Sequence, residues 1–334
     1  MIEGNSMRRR DILKAAGATL GTGLAAPAIT TGALAQVANW PDRPVKLILP
    51  YAPGGSGDLI GRPWAEKLAQ AFGQQFVIEN RGGAGGMIGV EAASKATPDG
   101  YTFLQTPNAT LSVLPSMRAT PYDPVKSFMP VARAGDLFCG FVIHPSVGVK
   151  NFKEFVDYAK KNPGKLSFGL AGLGTSSHLR IEMLKYKAGL DILHVPYRGS
   201  GDALNDLLPG TVQMMNEINV ITHVRSGKLI LLNINYPERH PDFPDVPTLK
   251  EAGYPGADVP IWFSYWAPAG TPVEIVEKLN AKMVEIAKSD DMKARMRQIN
   301  VVVPIQTTGE MGRFLIEDTQ RNAELIKAAN IKLE

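Results

Sequence analysis

Three short turns carry residue types that could hold an anion. The first is Pro50-Tyr51-Ala52-Pro53-Gly54-Gly55-Ser56-Gly57-Asp58. The second is Gly172-Leu173-Gly174-Thr175-Ser176-Ser177-His178-Leu179, and the third is Tyr197-Arg198-Gly199-Ser200-Gly201-Asp202. Glycines let backbone N–H groups come close to a ligand, and a helix starting just beyond adds positive partial charge. Thr175, Ser176 and Ser177 add hydroxyl donors, and either Ser200 or Asp202 reads as a helix N-cap. His178 fits a ligand contact or packing at a helix start, since a histidine can do either. One Gly/Ser-rich turn before a helix is usually only a cap. Recurrence in both halves of the chain is what favours a ligand, because helix N-termini facing one cleft would grip an anion from two sides. A charge-assisted hydrogen bond contributes about 1.5–3 kcal/mol, and a helix terminus up to about 2. A few of them offset the ordering cost and leave micromolar binding, about −8 kcal/mol.

The enzymatic alternatives fail on spacing. Gly54-Gly55-Ser56-Gly57-Asp58 approaches the G-x-S-x-G elbow, but Asp58 stands where the last glycine is required. Gly172-Leu173-Gly174 opens a dinucleotide fingerprint, yet Ser177 replaces its third glycine. No glycine cluster ends in Gly-Lys-Ser/Thr, as a Walker loop would. Histidines 144, 178, 194, 223 and 240 show no metal-ligand spacing, so no metal site is expected. A hydrolase built on Ser56 or Ser176 would need a triad that the sequence does not display. We therefore expect no catalysis and no cofactor.

The elements that must position these turns follow an α/β rhythm. Val45-Lys46-Leu47-Ile48-Leu49 is strand-like and leads through the first turn into a helix from about 58 to 72. Phe76-Val77-Ile78-Glu79 and Tyr101-Thr102-Phe103-Leu104-Gln105 give further strands, with a helix through about Lys95 between them. The pattern restarts at Phe141-Val142-Ile143, with a helix over 152–161 ended by Asn162-Pro163-Gly164. Leu166-Ser167-Phe168-Gly169 precedes the second turn and a helix over 176–188. Pro196-Tyr197-Arg198 precedes the third turn and a helix over 202–208. Leu229-Ile230-Leu231-Leu232 reads as a buried strand, and Pro237 to Pro247 as a surface loop. In 272–288, Ile275, Val276, Leu279, Met283 and Ile286 share one helical face. Two similar halves imply two lobes. Open α/β sheets bind ligands at the carboxyl ends of their strands, so a cleft between the lobes is the expected site.

The first 35 residues read as an address. Arg8-Arg9-Arg10-Asp11-Ile12-Leu13-Lys14 carries a twin-arginine (Tat) pattern. The stretch from Ala15 to Ala35 is uncharged, and Ala33-Leu34-Ala35 offers a cleavage site before Gln36. Gly17, Gly21, Gly23 and Pro27 break it as a membrane span. Removing residues 1–35 takes away four basic and two acidic side chains from a formal +4, leaving +2. That charge, with no basic run after the N-terminus, excludes a nucleic-acid binder. Export would also remove the ATP-rich cytosol, against a kinase or soluble dehydrogenase. Cys139 is the single cysteine, so no intrachain disulfide is possible, and it reads as a small buried apolar residue.

A longer series of motifs runs in order from the first strand onward. After Pro50 to Gly55 come Glu79-Asn80-Arg81-Gly82-Gly83-Ala84-Gly85-Gly86, Pro98-Asp99-Gly100-Tyr101, Asn162-Pro163-Gly164-Lys165, and Gly174-Thr175 with His178-Leu179. Val195-Pro196-Tyr197-Arg198-Gly199, Asp206-Leu207-Leu208, Gly227-Lys228-Leu229, Asp245-Val246-Pro247-Thr248, Glu251-Ala252-Gly253-Tyr254-Pro255 and Ala267-Pro268-Ala269-Gly270-Thr271-Pro272 complete it. Over nearly all of 40–334 the chain resembles the substrate-binding proteins of the tripartite tricarboxylate transporters, the Bug family. The resemblance implies a periplasmic, two-lobed α/β binding protein of the Venus flytrap, type II-like kind with two crossover strands. Its ligand would be a small organic acid, and its partners the membrane subunits of such a transporter or, alternatively, a membrane sensor kinase.

The resemblance also places the ligand-gripping loops at Tyr51, Ala52, Pro53, Gly54, Gly55 and Ser56, and at Gly174, Thr175, Ser176 and His178. A third loop falls on residues 106–110, with Asn108 as its side-chain contact. The chain departs from the family pattern twice. Asn216-Glu217-Ile218-Asn219-Val220 replaces the usual Phe-Asp-x-x-Pro in a shortened segment, and Ser264 replaces a glycine after Trp262. Both lie near the expected cleft or hinge, leaving the ligand and the role of Glu217 open. We expect lobe one over 36–138 plus 262–334 and lobe two over 139–261. The crossings should fall near 135–141, where Gly135 and Gly140 could absorb dihedral change, and near 262–266, where the aromatics pack the hinge.

Overall fold

The computed structural model describes residues 39–331. The expected export signal lies outside them. The chain first alternates β1 (Val45–Leu49), α1 (Ser56–Phe72), β2 (Phe76–Asn80), α2 (Met87–Ser94), β3 (Thr102–Pro107), α3 (Leu114–Met117) and the long β4 (Phe128–Leu137). There follow β5 (Val142–Ile143), α4 (Phe152–Lys161), β6 (Ser167–Leu170), α5 (Ser176–Ala188), β7 (Leu193–Pro196), α6 (Ser200–Leu207), β8 (Met214–Met215), α7 (Ile221–Arg225) and β9 (Ile230–Leu231). The last stretch holds β10 (Trp262–Pro268), α8 (Val273–Lys288), α9 (Asp290–Gln298), β11 (Val301–Val302) and α10 (Thr308–Ala328).

Two separate sheets result. The first has the order β11-β4-β10-β3-β1-β2 and the second β7-β6-β8-β5-β9. β1 runs parallel to β2 and β3, while β10 lies antiparallel between β3 and β4. β6 is parallel to β7 and β8, and β5 is antiparallel to β8 and β9. Strands covered on both faces read as nearly continuous apolar runs, and in β1 all residues but Lys46 are buried. One core gathers Ile48, Leu104, Trp262, Trp266, Met311 and Leu315 around the first sheet. Another gathers Phe141, Phe155, Phe168 and Leu184 around the second, and the end of the C-terminal helix joins it through Ile326. Each such side chain contributes about 1.5–3 kcal/mol by leaving water.

Local chemistry sets the helix ends. Asn151 Oδ1 accepts the Glu154 N–H (2.9 Å) at the start of α4, and Thr307 with Glu310 forms a capping box for α10. Two starts differ from the expected ones. Helix α1 begins at Ser56, because Gly55 is extended and serves as N-cap while the Asp58 carboxylate accepts the Gly54 N–H (2.7 Å). Helix α6 begins at Ser200, so neither Ser200 nor Asp202 is the N-cap. Gly199 holds that place, with no side-chain cap.

The crossings between the sheets lie side by side. Leu137 at the end of β4 donates its N–H to Ile261 O (2.9 Å), just before β10 begins, and Trp262 pairs with Asp136. The glycines expected to absorb dihedral change are needed here for space. A side chain at Gly140 would overlap the Asn233 carbonyl, and one at Gly135 would strike Val301. Trp262 packs edge-on against Phe314 (5.2 Å) and Tyr265 against Trp64 (6.4 Å), so these aromatics fill the first lobe's core.

Candidate ligand-binding site

The carboxyl end of β1 meets the start of α1, and the carboxyl end of β6 meets the start of α5. These two turns face one another across a cavity of about 30 Å³. From the first lobe its wall takes Tyr51, Gly55 and Ser56; from the second it takes Thr175, Ser176, Ser177, Ser200 and Glu217. The third turn closes on the first. Ser56 donates its N–H to Ser200 Oγ (3.1 Å), and Ser56 Oγ donates to Glu217 Oε2 (2.6 Å). A Cβ at Gly201 would come within 3.1 Å of Pro53 O, and one at Gly199 within 3.3 Å of the Ala52 side chain. The lobes are therefore in contact across the cleft.

The turns are held in place from behind. Asp58 is buried and accepts from Asn80 Nδ2 (3.1 Å) and Arg62 (3.0 Å) as well as from Gly54. Asn80 Nδ2 also donates to Tyr51 O (3.1 Å), and Tyr51 Oη donates to Gly85 O (3.1 Å). Burial, with Glu217 and Tyr122 nearby, pushes the Tyr51 phenol far up, so it stays protonated. Thr175 caps α5 by accepting the His178 N–H (3.4 Å), and it donates to Gly172 O (2.7 Å). Two helix N-termini thus meet at one small space.

Some residues expected at the site lie behind it. Asn108 is fully buried and outside the cavity wall. It accepts from Ser176 Oγ (2.7 Å) and donates to Asp318 Oδ2 and Pro260 O, both at 3.2 Å. Asp318, on α10, also accepts from Ser112 Oγ (2.6 Å) and Asn322 Nδ2 (3.0 Å). Asn108 thereby ties Ser176, in the second lobe, to the C-terminal helix. Gly174 donates its N–H to His178 Nδ1 (3.2 Å), and burial lowers the imidazole to about 4, so His178 is neutral and packs the helix start. Asp202 is exposed on the first turn of α6, and Pro53 and Gly54 are exposed on the outer side of the first turn.

Two groups that the motifs did not assign matter here: Glu217 lines the cavity, and Arg180 lies behind it. Burial raises the Glu217 carboxyl above its ordinary range, opposed by the Ser56 hydrogen bond, Arg180 and Ser177. Arg180 is fully buried on α5, where it donates to Asn216 Oδ1 (2.6 Å) and Val259 O, and its Nη2 has no partner among the described residues. Arg180 is four residues beyond Ser176, and that spacing puts both on one helical face. A lone arginine among Leu179, Ile181, Met183 and Leu184 was the sequence signal for it. Cys139 is buried beside them, and burial pushes its thiol up to about 11.

The fold also assembles His178, Glu182 and His194, whose ligand atoms lie within 4.8 Å of one another. Helix and strand bring them together, which spacing alone had not suggested. Glu182 is already paired with Lys185 (2.8 Å) and His194 (2.9 Å), and Lys185 and His194 help pull its carboxyl down to about 2 against burial. The Gly174 N–H occupies His178 Nδ1, leaving the ring proton on Nε2, where a metal would have to bind. The arrangement is that of an ion pair.

Two α/β lobes, joined by adjacent crossings and closing on a donor-rich cleft, define a bilobal solute-binding receptor. The chain belongs to the tripartite tricarboxylate transporter family receptors, whose family model matches residues 60–331. It is similar to the periplasmic binding protein BugD, at 34% identity and TM-score 0.83 over 88% of this chain and all of that one. It is similar to R. palustris Rpa4515 with adipate, at 31% identity and TM-score 0.84 over 88% of this chain and 99% of that one. A third is MatC from Rhodopseudomonas palustris with bound malate, at 31% identity and TM-score 0.82 over 86% and 100%. Family, fold and receptor class therefore agree with what the motifs implied.

Proposed function

We propose that this chain is an exported periplasmic receptor that captures a small organic acid between its lobes for the membrane subunits of a tripartite tricarboxylate-type transporter, and that it catalyses nothing. The lobes assigned are 36–138 plus 262–334 and 139–261, with cleavage after Ala35. The observation that carries the ligand class is the wall of hydroxyls at two helix N-termini, with the buried Arg180 guanidinium behind it acting on Glu217. Burial raises the Glu217 carboxyl, which lessens its opposition to an anion, and the hydroxyl donors of the wall suit a carboxylate. The adipate and malate seen in two similar proteins belong to the same class. Ser56 and Ser176 donate to Glu217 and Asn108, so neither hydroxyl is held by an imidazole base.

A cavity of about 30 Å³ holds little more than water. Uptake of an acid the size of malate therefore requires the lobes to part and the Ser56 contacts to Ser200 and Glu217 to break. A thermal-shift panel of mono-, di- and tricarboxylates, with amines and neutral amides as comparators, tests the reading. A true ligand at 100 times its dissociation constant stabilises by about 2.7 kcal/mol. Stabilisation by an amine or neutral amide, with none by any carboxylate, would sink the proposal.

A further inference from the structure

A second cavity, of about 420 Å³, lies where the first crossing meets α9 and β11. This size falls in the range of small-molecule sites, roughly 300–1,000 Å³. Its wall is apolar, from Phe138 in the crossing, Met296 on α9, and Val301, Val303 and Ile305 in and after β11. Ile305 is 47% exposed and Val302 40%, so apolar surface continues to the rim. His240 and Pro241 complete the wall from the second lobe, so an occupant would touch both lobes.

The Lys, Arg, Asp and Glu residues that line this wall are all cationic. Lys288, Lys293 and Arg297 border it. Lys293 lies 3.6 Å from Asp290, and Arg297 shares Asp242 with Arg225, at 3.3 and 2.9 Å. Two carboxylates thus face four cations. Asn300, which lines the cavity, is 1% exposed. Its Oδ1 accepts from Arg225 (2.6 Å), which turns the amide so that Nδ2 is left with no partner. A buried amide donor without an acceptor is costly, and an oxygen anion held by the neighbouring cations would supply one. The apolar wall has nothing to offer a second carboxylate at the far end of a ligand.

We propose that this cavity is a second binding site, for an amphipathic monocarboxylate whose chain or ring lies on Phe138, Val301 and Ile305 and whose carboxylate meets Asn300 Nδ2 and the lysine–arginine rim. Octanoate is the probe, titrated into the purified protein by calorimetry, with octylamine as the charge-reversed comparator. Octanoate should bind one to one and octylamine should not. Asn300→Asp keeps the Arg225 contact but sets a carboxylate where the donor stood, and should weaken octanoate at least about tenfold. Ala287→Phe fills the cavity from α8 and should do the same if Asn300→Asp proves unstable. Unchanged octanoate affinity in both variants, or no binding up to about 1 mM, overturns the proposal. So does affinity lost in Ser176→Ala but kept in the cavity variants, since that would put octanoate in the cleft.

Discussion

Glu217→Gln asks most directly how the cleft reads an anion. Burial raises this carboxyl above its ordinary value of 4.5, and the Ser56 hydrogen bond, Arg180 and Ser177 only partly oppose that shift. While neutral, Glu217 can donate to a bound carboxylate. Once ionised, it faces that carboxylate across the cleft it lines, at a separation on the order of 5 Å. With an effective dielectric near 20 the repulsion is about 3 kcal/mol, or roughly a hundredfold in dissociation constant. Arg180 offsets part of this, so a tenfold to hundredfold loss is expected. The sign follows from linkage. The unfolded carboxyl ionises near its ordinary value while the folded one stays protonated, so stability declines as pH rises from that value through the raised one. Ligand affinity falls over the upper part of the same window. Glu217→Gln should bind with a flat pH profile and lose the matching slope in thermal stability. The assay is calorimetric titration of the most stabilising acid from the panel, from about pH 5 to about pH 9, with melting curves alongside. Wild-type affinity that rises with pH would refute the argument, because Glu217 would then be a charged partner of Arg180.

Thr175→Ala removes the cap of α5 and should cost about 1 kcal/mol of stability, read by urea unfolding, while weakening the acid by a similar amount as the turn loosens. Arg180→Met leaves Asn216 Oδ1 and Val259 O without their donor, so it should destabilise by about 1–3 kcal/mol and lower carboxylate affinity by more than about tenfold. Asp318→Ala strands Asn108, Ser112 and Asn322, and a loss of about 3 kcal/mol in urea unfolding is expected. An unchanged midpoint would show that water replaces the carboxylate. Arg9→Lys with Arg10→Lys should hold the protein in the cytoplasm, which fractionation would detect. Its continued appearance in the periplasm would point to another export route.

Much of this was legible from sequence because it is local. Apolar runs of strand length, glycine turns and caps depend on neighbours within a few residues, so the alternation of β1 to β3 and of β5 and β6 with their helices could be read directly, whereas β7 at Leu193–Pro196 could not. So could the facing turns at Ser56 and Thr175. Asn108 could be placed near the site, but only the fold showed that it braces Ser176 against Asp318, 210 residues farther along the chain. The capping role expected of Ser200 or Asp202 went to Gly199, because the Ser200 hydroxyl is drawn to the Ser56 N–H in the other lobe. Glu217 was an unexplained departure until a long-range contact set its neighbour and burial raised its carboxyl. By itself, then, the sequence determined the α/β rhythm, the two lobes and the class of turn that could hold an anion, since periodicity and turn chemistry are short-range. Tertiary structure decided which polar groups lose their water and which partner each then finds. Desolvation depends on everything packed around a group, so the surroundings of Glu217 were decided only when the two lobes met.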